Sequence, residues 1–166
     1  MTSPGPCPHG ATRQRILAES GFDRDEIALL GIMRHFFQSF TLPQTQGWAH
    51  GLDLAHAAFP PEHAPNLWVC ALAVVQTMRG ARMSGFEFSN PDCPSCARGV
   101  SDHERQLMEV ISCTRRGQRS RAHTAALLLC EGNDPAGLIG AAGHLARQLA
   151  CALNAPALHG GKVSSP

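Results

Sequence analysis

The sequence predicts an all-α fold, a compact bundle of about seven helices with a long, cysteine-bearing loop ahead of a C-terminal three-helix unit. Three observations carry this. Apolar residues recur at three- and four-residue intervals almost throughout the chain, the period of one helix face. Ala and Leu dominate the apolar set, while aromatics make up only 5% and Tyr is absent, a balance that favours helix over strand. Capping residues and glycine stops fall where the periodic stretches begin and end.

Taken in order, residues 1–10 are a Pro/Gly-rich tail, and a short first helix is expected over 11–20, ended by Gly21. Asp23 with Glu26 three positions on forms a capping box for the second helix, whose apolar stripe is Leu29, Met33, Phe36 and Phe40. The third helix carries Trp48, Leu52, Ala55 and Phe59 until Pro60-Pro61 stops it. The fourth begins near Pro65 and aligns Leu67, Ala71, Val74, Val75 and Met78. A long connection runs from Gly80 to Gly99, with a short extended piece at Phe86-Glu87-Phe88.

Ser101 and Glu104 form a second capping box for the fifth helix, with Leu107, Val110 and Ile111 inward. Arg115 and Arg116 suit its negative end, and Gly117 terminates it. The sixth helix runs from about 118 to 131. Asn133-Asp134-Pro135 opens the seventh, which buries Leu138, Ala142, Leu145, Leu149 and Leu153. From about residue 156 the chain is a polar tail.

The 166 residues are expected to form one domain, long enough to bury a core without metals or disulfides. A net charge of +1 gives no general pull toward nucleic acid or anionic lipid. The longest apolar stretch, 67–78, is too short to span a bilayer, and the first residues lack the pattern of a secretory leader. A cytoplasmic protein is the expectation. In that compartment seven Cys read as thiols or metal ligands rather than a disulfide framework.

Chemistry concentrates at Cys93-Pro94-Ser95-Cys96, where a tight turn aims two thiols the same way. A four-coordinate site needs two more ligands. The short link at Gly117 makes the fifth and sixth helices antiparallel, which sets Cys130 level with Glu104 and close to His103. The expected metal ligands are therefore Cys93, Cys96, Cys130 and His103, with Glu104 or Asp134 as alternatives to His103, and Cys7 able to fold back from the tail. Three sulfurs and an imidazole suit zinc, and an iron–sulfur cluster is the alternative.

Cys-Pro-x-Cys resembles half of a zinc knuckle and is similar to the active-site motif of glutaredoxins. The glutaredoxin resemblance implies a dithiol at a strand end, whereas the flanks here are helical.

The basic run from Arg115 to Arg121 reads as a solvated turn, and the aromatics at helical spacing read as core. No phosphate loop, nucleophile elbow or paired catalytic carboxylates are present. The expected function is a non-enzymatic regulatory or accessory protein with one structural or sensing metal and a protein partner. A thiol–disulfide redox protein and a metal-free adaptor are the alternatives.

Overall fold

The computed structural model describes residues 15–154; the terminal tails, Cys7 and residues 11–14 of the first expected helix lie outside them. Both capping boxes form. Asp23 accepts from the Glu26 N–H at 2.8 Å while Glu26 accepts from the Asp23 N–H at 3.1 Å, and this starts α1, Arg24–Thr41. Ser101 and Glu104 exchange the same pair of bonds at the start of α5, Asp102–Arg115. The remaining helices are α2 (Gly47–Ala58), α3 (Ala64–Ala81), α4 (Pro94–Ala97), α6 (Arg119–Leu129) and α7 (Ala136–Asn154).

The described chain is thus all-α with seven helices, as expected, although their membership differs. Residues 11–20 supply no α-helix among the described residues. Arg15–Ile16 is a two-residue strand, β1, antiparallel to β2 at Gly99–Val100, and Leu17–Glu19 is a single 3₁₀ turn. So short a segment cannot offset the cost of helix nucleation alone. Its backbone pairs instead with the cysteine loop, the Leu17 N–H donating to Arg98 O at 2.7 Å. The seventh helix is α4, one turn inside that loop, with Pro94 at its first position.

The core is one cluster drawn from every helix but α4, including Leu29, Met33, Ala55, Leu67, Val74, Met78, Leu107, Ile111, Leu129, Leu145 and Leu149. The α3 stripe is buried as expected. The α2 stripe holds in part: Ala55 and Phe59 are buried, but Trp48 is 50% exposed, and Gly47 and Gly51 join Ala55 on the inward face. The reason is steric. A β-carbon on Gly47 would stand 2.4 Å from the His35 carbonyl oxygen, so only glycine lets α2 approach α1 this closely. At the far end of α7, Leu153 is exposed and Ala152 takes the inward position.

A buried ion pair holds the long loop to this bundle. Arg34, on α1, donates to Glu104 from Nε at 2.7 Å and Nη2 at 3.0 Å, and to the Ala97 and Gly99 carbonyls at 2.8 and 2.6 Å. Glu104, fully buried, also accepts from the Ser89 and Ser101 N–H groups at 3.0 and 2.8 Å. Phe86 stacks on Phe37 of α1 at 4.3 Å between centroids, and Phe88 leans on the same ring. The connection from 82 to 100 is therefore an anchored strap rather than a loose link.

Candidate metal centre

Of the ligands expected from the sequence, Cys93 and Cys96 share the single turn of α4, whereas Cys130 and His103 lie at the ends of α6 and α5. Cys93 caps α4, its carbonyl accepting from the Ala97 N–H at 2.8 Å, and its Sγ lies 3.1 Å from Ser95 Oγ. Cys96 follows one turn on, and both are half-buried. Cys130 closes α6 deep in the core, where burial pushes its thiol up despite the nearby Arg82 charge. His103 accepts from the Glu87 N–H at Nδ1 (2.9 Å), packs its ring 5.5 Å from that of Phe86, and sets Nε2 3.4 Å from Arg82 Nη2.

The antiparallel α5–α6 hairpin forms, and Arg82 reaches the same end of both helices. Its guanidinium donates to the Leu129 carbonyl at 2.5 Å, pairs with Glu131 at 3.2 Å and lies beside His103. The cation that gathers His103 and the end of α6 is thus an arginine. The alternatives to His103 are also engaged: Glu104 pairs with Arg34, and Asp134 accepts from the Ala136 N–H at 2.9 Å. Among the described residues, Cys93, Cys96, Cys130 and His103 do not converge on one point.

Three other side chains do. Ligand atoms of His35, His50 and Asp92 lie within 4.8 Å of one another. Each comes from a different segment, and the glycine-built crossing of α1 and α2 explains the histidine pair. Gly51 sits against His35, whose Cβ would be 3.5 Å from an added β-carbon, so the residue preceding it, His50, flanks the same imidazole. The rings meet edge-on, 5.7 Å apart at 76°. Asp92 arrives on the anchored strap. Its N–H donates to Asn90 Oδ1 at 3.0 Å, fixing the turn, and its carboxylate accepts from Gln38 Nε2 at 2.5 Å. Arg34, His35 and Gln38 of α1 therefore form a continuous patch: one fastens the strap, one offers a ligand, and one aims the carboxylate.

The electrostatics suit a cation. Burial holds the His35 imidazole below its ordinary value; the Gln38 amide and the Asp92 carboxylate oppose this, and His50 reinforces it. His35 Nδ1 and Gln38 Oε1 are both buried, and neither makes a hydrogen bond of acceptable geometry to a described residue. His50 and Asp92 are exposed, so the cluster opens to solvent on one side. Two imidazoles and one carboxylate form a donor set for zinc or ferrous iron, with at least one position left for water.

Nothing in local spacing reveals this trio, since the three residues are spread between positions 35 and 92. The usable signal was the pair Gly47 and Gly51, one turn apart on a helix face, which marks a close helix crossing. No protein-family model, curated protein or solved structure matches the chain.

Proposed function

We propose that this protein is a metal-responsive accessory protein that holds one divalent transition cation, zinc foremost, between His35, His50 and Asp92. The observation that carries this reading is the convergence of those three ligand atoms, from α1, α2 and the strap, within 4.8 Å. The Gln38 bond that aims Asp92 supports it. Zinc would tie the strap to the α1–α2 hairpin at the residue immediately before Cys93. The Cys93–Cys96 turn would then be presented rigidly when zinc is bound and more loosely when it is absent. Such a coupling makes metal supply readable by a partner protein.

The test is zinc titration by calorimetry into chelator-stripped protein, with cobalt substitution as a spectroscopic probe of the ligand type. One zinc per chain is expected. Cobalt spectra should be free of thiolate charge-transfer bands. Zinc should raise the thermal midpoint, by about 4 kcal/mol of stability at 1,000 times Kd. His50→Ala, at an exposed position, should keep the fold and lose the zinc, whereas Cys93→Ser/Cys96→Ser should retain it. A wild type that takes up no zinc refutes the reading. So does zinc that survives His50→Ala and disappears with the two thiols.

A further inference from the structure

The basic run at the α5–α6 turn borders a groove of about 940 Å³ that is open to solvent. It has no part in the cation site. One wall is the end of α5 and the first turns of α6; the other is the face of α7 from Ile139 to Ala150. Ile139, Gly143, Ala146 and Ala150 recur along one face of α7 and form an apolar floor with Ala122 of α6. The four α7 positions span about 16 Å at ~1.5 Å per residue, the length of three helical turns. Side chains as small as those of Gly143, Ala146 and Ala150 leave room for another backbone to approach closely.

The charges around this floor are of one sign. Arg115, Arg119 and Arg147 line it, and no Asp or Glu does. Arg115 is paired with Asp23 and Glu26. Arg119 and Arg147 have no ion pair among the described residues, while the neighbouring Arg121 and Arg116 find Glu109 and Glu26. The placement of Arg119 is electrostatically adverse: it stands in the first turn of α6, at the positive end of the helix dipole. That turn holds no acidic residue and has no side-chain cap. Among the described residues, Arg119 and Arg147 thus stand in the groove without a counter-charge.

We propose that the groove docks an acidic amphipathic helix of a protein partner, with its apolar face on the Ala/Gly floor and its carboxylates between Arg119 and Arg147. Helical shape follows from a floor that runs three turns along one face of α7, and acidity follows from the unmatched cations. Specificity would come from the arginines and area from the floor.

The probes are synthetic amphipathic helical peptides about three turns long, one with Glu flanking its Leu stripe and one with Lys in the same positions. Binding would be read by fluorescence anisotropy, and its location by amide chemical shifts. The Glu peptide should bind, shift the amides of Ile139, Gly143, Ala146 and Ala150, and weaken as salt rises. Arg119→Glu/Arg147→Glu should weaken it by at least about tenfold, as expected when attraction becomes repulsion. Gly143→Leu should block it with the circular dichroism spectrum unchanged, because a β-carbon there meets only the end of Arg147, at 3.6 Å. Equal binding of the Glu and Lys peptides overturns the proposal. So do shifts confined to another face, or no binding of the Glu peptide at millimolar concentration. Decanoate occupying the groove while neither peptide does would assign it to small anionic amphiphiles instead.

Discussion

Removing Glu104 tests how the strap is held. This carboxylate is fully buried, receives two bonds from Arg34, and accepts from the Ser89 and Ser101 N–H groups. In Glu104→Ala the Arg34 guanidinium stays buried, with the Ala97 and Gly99 carbonyls as partners and no counter-charge. Breaking a buried pair from one side costs about 3–5 kcal/mol, most of it the desolvation of the remaining charge. Half of the α5 capping box is lost as well, worth about 1 kcal/mol. Against a total stability of roughly 5–15 kcal/mol, this is a large fraction. At a urea m-value of about 2 kcal/mol/M, the midpoint should fall by about 2–3 M. The control is Arg34→Met/Glu104→Leu, which removes both charges and fills similar volume. It should lose less than Glu104→Ala, although it still leaves strap carbonyls and N–H groups unpaired. Hydrogen exchange should show the strap amides of 86–100 losing protection first in the single variant. A Glu104→Ala loss under about 1 kcal/mol would refute the reasoning, as would a double variant less stable than the single one.

Two more predictions concern other contacts. The Ser84 hydroxyl, the Met83 and Ser84 N–H groups and Arg82 together hold the Glu131 carboxyl from an ordinary 4.5 down to about 2. A depressed carboxyl stabilises the fold when ionised, fully above its unfolded value, and that contribution is lost as pH falls from about 4.5 through about 2. The thermal midpoint of Glu131→Gln should therefore decline less steeply than that of wild type over this window, and parallel slopes would argue against the contact. Glycine substitutions should divide by position. Gly47→Ala forces a β-carbon against the His35 carbonyl and should cost about 1–3 kcal/mol. Gly140→Ala, in open space within α7, should gain about 0.5–1 kcal/mol and about 1–4 °C, both readable by thermal melts.

The sequence alone determined the features governed by neighbours along the chain. The capping boxes at Asp23 and Ser101 were legible because the partners lie three residues apart, and the α3, α5 and α7 stripes because helical period is a local property. Gly117 and Gly132, both at positive φ, marked their helix ends for the same reason. The fold class followed from these.

Tertiary structure decided what depends on distance between segments. It gave the inward face of α2 to Gly47, Gly51 and Ala55 rather than to Trp48, because two backbones approach there more closely than side chains allow. It placed Arg82 beside His103 and the end of α6, and Arg34 against Glu104, where sequence spacing had suggested a metal. It brought His35 and His50 together with Asp92, three residues with no common spacing. A helix crossing is fixed by the steric fit of whole faces and a strap by its anchors. Neither leaves a periodic trace, so the candidate site emerges only once the chain has packed.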